Sequence, residues 1–425
     1  MIQFSNITKY NELSTMKAVS FFSVVIIVLF QYGCSMPENS YVGEMKITKK
    51  TASLIKAGNE FGLDLFQNIY ASDKENDNIM VSPLSISLAL AMTYNGADGQ
   101  TKYDMEKTLR VYGLSSDDIN NSYHDLVEAL RDLDQEVLLQ IANAIYYRKD
   151  FEVERDFISV NKHFYSAEVA PLDFSSDEAL STINGWVYDH TNGKIETIID
   201  QITPLQVMFL LNAIYFKGTW QQEFNKKSTE NLPFYPGPEE MIQCETMQRL
   251  DTIPYMSNQI FSAVRLPYSN GSYNMLIFLP EADRNLQDII DRLNDENWKA
   301  WMDSFTLKEN VDIKLPKFKY AYEIMLNDVL TEMGMGIAFT SQADFTGINR
   351  YGDLLIDYVK HKSFIEVNEE GTEAAAVTVV AIERTSAGGP QKTPFYVNRP
   401  FLYVITEKNS GAILFMGTVK NPNPD

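Results

Sequence analysis

Residues 369–382 read Glu369-Glu370-Gly371-Thr372-Glu373-Ala374-Ala375-Ala376-Val377-Thr378-Val379-Val380-Ala381-Ile382. Taken as a strand, this stretch has two faces, because successive side chains point to opposite sides. Thr372, Ala374, Ala376, Thr378, Val380 and Ile382 make one face, small at first and apolar later. Glu373, Ala375, Val377, Val379, Ala381 and Glu383 make the other, charged only at its ends. No proline interrupts residues 371–385, so every backbone N–H there is available to a ladder. Small alternate residues suit a strand that slides between two others without displacing a packed core. Thr385-Ser386-Ala387-Gly388-Gly389-Pro390 follows, with the composition of an exposed loop. On these residues alone, an ordinary buried strand followed by a loop is the plainer reading.

Outward from this segment the chain mixes helix and strand. Leu54, Phe61, Leu65 and Ile69 fall at helical spacing within residues 51–70. Ser82 is placed to cap a second helix over residues 82–94, with Pro83 at its first position, where a missing N–H costs nothing. Residues 138–147, 208–216 and 261–279 are rich in Ile, Val, Tyr and Phe and read as strands. Residues 311–320 alternate like a strand with one wet face, and residues 324–333 resume helical spacing. Helices crowd the first half and strands the second, which predicts an α+β fold on large, mostly antiparallel sheets.

The 425 residues are 45 % hydrophobic, ample for a large core, and no interior linker, repeat or low-complexity tract divides them. A net charge of −21 argues against nucleic acid, which needs clustered Lys and Arg. The two cysteines, Cys34 and Cys244, build neither a disulfide framework nor a CxxC metal site. Cys34 follows the apolar run of residues 21–30, which Lys17 precedes; this describes a secretory signal. The run is shorter than the roughly 20 residues that a membrane anchor needs. Gly33-Cys34-Ser35 resembles a bacterial lipoprotein junction with Cys34 as lipid acceptor, although Gln31 and Tyr32 depart from the usual small and aliphatic residues. The expected organisation is a signal over 1–34, a linker over 35–46 and one domain over 47–425. The protein is expected to be extracytoplasmic, secreted or lipid-anchored. Cys244 reads as a buried thiol.

Motifs for enzymatic chemistry are missing. The sequence holds no GxSxG, HExxH, P-loop or GxGxxG, and its four histidines (His124, His163, His190, His361) have no partner at ligand spacing. No metal and no cofactor is expected.

Residues 369–376 resemble, almost letter for letter, the proximal hinge of inhibitory serpins. Ser82-Pro83-Leu84-Ser85 is similar to the start of that family's second helix, and residues 211–220, ending in Trp220, to its central strand. Leu315-Pro316-Lys317-Phe318, Ala343-Asp344-Phe345-Thr346-Gly347, His361-Lys362, Asn398-Arg399-Pro400-Phe401 and Leu414-Phe415-Met416-Gly417 extend the resemblance in the family's order over residues 47–424. The resemblance implies the serpin fold, with three β-sheets, roughly eight to nine helices and an exposed reactive-centre loop. It implies a monomer that is not an enzyme but an irreversible suicide-substrate inhibitor of serine proteases, with cysteine proteases as the other target class. The cleaved loop would enter the main sheet and carry the acylated protease with it. About 14 inserted residues at roughly 3.3 Å each give a displacement of order 45 Å.

In this reading Glu369, Glu370, Gly371, Thr372, Glu373, Ala374, Ala375 and Ala376 are the hinge. Ser82, Ser85, Asn212, Trp220 and His361 would attend the opening sheet. Counting seventeen residues from Glu369 reaches Thr385, so the cut would fall at Thr385-Ser386 and suit an elastase-like or subtilisin-like protease. A loop one residue shorter places it at Arg384-Thr385 and suits a trypsin-like one. The other reading from the same family is a non-inhibitory serpin acting as chaperone or carrier, whose hinge would carry proline or charge.

Overall fold

A computed structural model describes residue 45, residues 47–372 and residues 391–424. The expected signal, Cys34 and almost all of the expected linker lie outside the described residues. Met45, within that linker, is half-buried against the main core.

In chain order the elements are α1 (Lys49–Ser72), β1 (Asn78–Val81), α2 (Pro83–Tyr94), α3 (Gly99–Thr108), α4 (Ser116–Asp132), β2 (Val137–Arg148), α5 (Arg155–Phe164), β3 (Glu168–Leu172) and α6 (Asp177–His190). There follow β4 (Met208–Thr219), β5 (Glu230–Gly237), β6 (Glu240–Ser257), β7 (Phe261–Pro267), β8 (Tyr273–Pro280), α7 (Leu286–Ile290), α8 (Asp295–Asp303), β9 (Thr306–Pro316), β10 (Phe318–Met325) and α9 (Asn327–Leu330). The chain ends with β11 (Lys360–Val367), β12 (Gly371–Thr372), β13 (Thr393–Tyr396), β14 (Phe401–Glu407) and β15 (Ile413–Val419).

Local chemistry sets the helices that matter for the site. Thr48 caps α1, and Leu54, Phe61, Leu65 and Ile69 form its buried face. The Ser82 side chain accepts from the Ser85 N–H at the start of α2, with Pro83 in the first turn. Because α2 is apolar all round, it is buried almost throughout, between α1 on one side and β4 and β15 on the other.

The strands form two hydrogen-bonded sheets among the described residues. The smaller runs β10-β11-β12-β4-β2-β3 and the larger β1-β15-β14-β8-β7-β6-β9-β13, with β5 on β6. The expected third sheet is the β5-β6-β9-β13 part of the larger one. It stays joined because β6 continues past a register shift between Asp251 and Ile253 to pair with β7. On one side of the smaller sheet, α6 packs over β2 and β4, and Ile183, Trp186, Phe209 and Leu211 make a second, small core. Two readings need correction. Residues 261–279 are two strands, since the chain turns back at residues 268–272. The helix expected over 324–333 is only the short α9, after which a wide turn leads into Gly334 at φ +109°, a conformation that favours glycine.

Candidate functional site

Among the described residues, the smaller sheet is filled only at one end of its middle position. Its β12 is two residues long, with Thr372 opposite Val367 of β11 and Gly371 and Thr372 opposite Thr219 and Gly218 of β4. Below Thr372, no other strand lies between β11 and β4 among the described residues. A cavity of about 940 Å³ occupies that position, bordered by Leu210, Asn212 and Ile214 of β4 and Lys360, His361 and Lys362 of β11. Nearer Thr372 a small void continues along Tyr215 and Phe216 on one side and Phe364 and Ile365 on the other. A strand-shaped slot thus begins where the described part of the hinge ends.

The top of the slot is tightly specified. Gly371 has φ +152°, and a Cβ there would sit 2.1 Å from the Gly218 carbonyl oxygen, so only glycine fits. The Thr372 and Tyr268 hydroxyls share a 2.7 Å hydrogen bond, and the Tyr268 ring stacks on Trp220 with centroids 4.6 Å apart. Trp220 Nε1 donates to the Asn368 carbonyl at 3.0 Å, and its backbone N–H donates to that of Glu370 at 2.8 Å. The Phe224 N–H donates to the Glu369 carbonyl at 2.9 Å.

Both hinge carboxylates are buried and paired. Glu370 meets Lys226, and Glu369 accepts from the Thr229 hydroxyl at 2.7 Å and lies 3.5 Å from Lys317. Burial opposes the charge on Glu369, but the Thr229 hydroxyl, a backbone N–H and Lys317 outweigh it and hold the carboxyl below its ordinary value.

Halfway down, a polar cluster underlies the slot and touches both of its walls. The Ser82 N–H donates to His361 Nε2 at 3.2 Å, and the Ser82 hydroxyl donates to the Leu414 carbonyl at 2.7 Å. The Ser85 hydroxyl donates to Asn212 Oδ1, Asn212 Nδ2 to Asn143 Oδ1 at 2.7 Å, and Asn143 Nδ2 to the Tyr165 carbonyl at 2.8 Å. Ser82 therefore ties α2 to β11, and Ser85 ties it to β4. Burial lowers His361 to about 4, so the ring is neutral at physiological pH and free to accept.

A strap runs over the other face. After α6, Asn192 Nδ2 donates to the Tyr215 hydroxyl on β4 at 3.1 Å, whereas Lys362 Nζ on β11 donates to the Thr197 carbonyl at 3.0 Å. Lys360 reaches Asp200 at 3.3 Å, and Lys194 lies 4.9 Å from the Phe364 ring centroid. Residues 192–200 thus bridge the two walls.

Of the expected site residues, Ser82, Ser85, Asn212 and His361 come together, and Trp220 joins Glu369, Glu370, Gly371 and Thr372 at the top. Glu373, Ala374, Ala375, Ala376, Arg384, Thr385 and Ser386 lie outside the described residues. Sequence reasoning missed Asn143, Tyr268, Lys226 and the strap. Asn143 left one signal, a polar residue inside the apolar run of residues 138–147; the others left none.

Comparison with known proteins fits this geometry. The family model described as serpin (serine protease inhibitor) matches residues 56–422. The leukocyte elastase inhibitor of Bos taurus is 34 % identical over 381 residues, spanning 87 % of this chain and 99 % of its own. The native-state structure of tengpin, a thermophilic serpin, is 33 % identical with a TM-score of 0.80 and covers 89 % of this chain and 96 % of that one. Human thyroxine-binding globulin, solved with its hormone, is 26 % identical with a TM-score of 0.79, over 88 % of this chain and all of its own.

Proposed function

The chain belongs to the serpin family, and from that premise we propose that it is a suicide-substrate inhibitor of serine proteases. The observation that carries this reading is the slot between β4 and β11, headed by Gly371 and Thr372 already in register. If the antiparallel register is continued, Thr378 lies across from Asn212 on one side and His361 on the other, and Ile382 across from Met208, where β4 begins. Residues 372–382 thus match the length of the vacancy. Their small face would point the same way as Thr372 and His361, toward the core and the polar cluster.

In the proposed reaction the protease serine Oγ attacks the carbonyl carbon of Thr385, or of Arg384 if the loop is one residue shorter. The peptide C–N bond breaks, the new amine leaves with a proton, and an acyl-enzyme remains. The nucleophile is the protease's; this chain supplies the ester's acyl part. Residues 373–382 then fill the slot. The driving force is the ladder hydrogen bonds gained by both walls and the apolar surface buried in the cavity.

Incubation with trypsin and with elastase, followed by a denaturing gel, tests the reading. A covalent complex supports it, and cleavage without complex refutes it. Sequencing the released C-terminal fragment assigns Thr385 or Arg384. The similarity to thyroxine-binding globulin favours a second reading, a carrier without inhibitory action, and cleavage with no complex by any protease would support that one. We also propose residues 1–34 as an export signal with Cys34 as lipid acceptor; the mass of the mature N-terminus tests it. Among the described residues, no helix is long and apolar enough to cross a membrane.

A further inference from the structure

The cavity between β4 and β11 has an opening that strand insertion would not cover. Leu205, Tyr351 and Leu355 line it and are 92 %, 74 % and 46 % exposed. Single exposed apolar side chains are ordinary, but three around one opening mark a binding surface. The strand proposed above ends opposite Met208, and Leu205 lies beyond that point.

Behind the opening the walls are mostly apolar, with Ile198, Val207, Phe209 and Ile356 among them, and polar groups interrupt them, including Thr203 and Gln206 next to Leu205 in the chain and Asn212 and His361 on the two walls. Met208 to Ile214 of β4 all border the space, which makes it roughly 20 Å long at about 3.3 Å per residue. Its volume of about 940 Å³ is in the range of small-molecule sites. Arg148 lines the same cavity and donates through Nη1 to the Pro204 carbonyl, next to Leu205, at 3.1 Å. Its Nε donates to Asp150 at 2.6 Å, but Asp150 is 67 % exposed, so that pair is weak and easily exchanged. The other ionised groups lining the cavity are Asp353, Asp357, Lys360 and Lys362. Asp357 accepts from Gln206, and the two lysines hold Glu323, with Lys360 also on Asp200 and Lys362 also on the Thr197 carbonyl. Arg148 is therefore the cation beside the opening that can offer a two-pronged fork to a carboxylate.

We propose that this cavity binds a long-chain fatty acid, its chain lying between β4 and β11 and its carboxylate on Arg148. While bound, the ligand occupies the position of residues 373–382 and turns the inhibitor into a substrate. This last step rests on the strand-insertion reading above.

The intact chain is titrated with cis-parinarate, a fluorescent long-chain fatty acid. The expected result is saturable one-site binding that oleate displaces. Leu205→Glu, on a fully exposed side chain, should weaken it about tenfold, the equivalent of about 1.4 kcal/mol. Arg148→Gln should weaken oleate about tenfold and leave methyl oleate unchanged. Protein cleaved between residues 383 and 390, with strand insertion verified by a raised Tm, should bind neither. No saturable binding, indifference to Leu205→Glu, or retained binding after a cleavage that raises Tm would each overturn the proposal. Equal loss of oleate and its methyl ester in Arg148→Gln would overturn the carboxylate assignment. A cleavage that leaves Tm unchanged would refute strand insertion instead, and the Leu205 and Arg148 variants would then decide the cavity by themselves.

Discussion

The Ser82 N–H donates to His361 Nε2 at 3.2 Å, a bond between the cap of α2 and the wall of β11 that exists only while the ring is neutral. The polar cluster under the slot is thus tied to the protonation of one buried histidine.

Stability should carry a His361 component with a defined sign. Its folded value of about 4 lies below the unfolded value near 6.5, so the unfolded chain takes up the proton first. The contribution is full above about pH 6.5 and falls progressively as the pH drops through about 4. A gap of this size corresponds to something of order 3 kcal/mol. Urea denaturation at several pH values, compared with His361→Gln, checks this. The stability of the native chain relative to the variant should decline between pH 6.5 and 4, and a constant difference would contradict it.

Thr372→Arg should abolish complex formation while leaving cleavage intact. Thr372 is buried beside Tyr268, and its neighbours Gly371 and Gly218 leave no volume for a long cationic side chain. Titration of a target protease should show the stoichiometry rising many-fold. A variant that still forms covalent complex at one-to-one stoichiometry would refute the hinge assignment.

Thr378→Val should slow trapping with no change in the uncleaved protein. Continued register would set the Thr378 hydroxyl between Asn212 and His361, whose polar groups would otherwise face a methyl group at a cost of about 1–2 kcal/mol. The Tm of the cleaved form should fall and that of the intact form stay put. Equal shifts in both would show that the register is wrong.

The strap should act as a brake. Lys362 holds the Thr197 carbonyl across the slot, and a partly exposed charged hydrogen bond contributes about 1 kcal/mol. If strap release limits insertion, Lys362→Gln should accelerate it about fivefold. Stopped-flow fluorescence of a label on the loop measures the rate. An unchanged rate would mean that the strap moves aside before the limiting step.

The hinge letters and the capped, all-apolar second helix were legible because their signals are local. A period of two, a Ser-Pro helix start and the run of small residues are set by neighbours in the chain. The same locality explains only one of the errors. Residues 261–279 did carry a local hairpin signal, Ser269-Asn270-Gly271-Ser272 after Pro267, which a reading by apolar content alone passed over. The pattern over residues 324–333 could not foresee the turn at Gly334.

By itself the sequence determined the α+β class, and the family resemblance of its motifs pointed to Ser82, Ser85, Asn212 and His361; of the hinge, only Gly371 and Thr372 are seen as strand among the described residues. Only the tertiary structure decided that β4 and β11 stand apart with a cavity between them. It alone joined Thr372 to Tyr268, Trp220 to Asn368 and Lys362 to the strap. These contacts link residues more than a hundred positions apart, so their geometry follows from which strands become neighbours. The vacancy is likewise a matter of spacing between two walls, and no residue type in either wall encodes it alone.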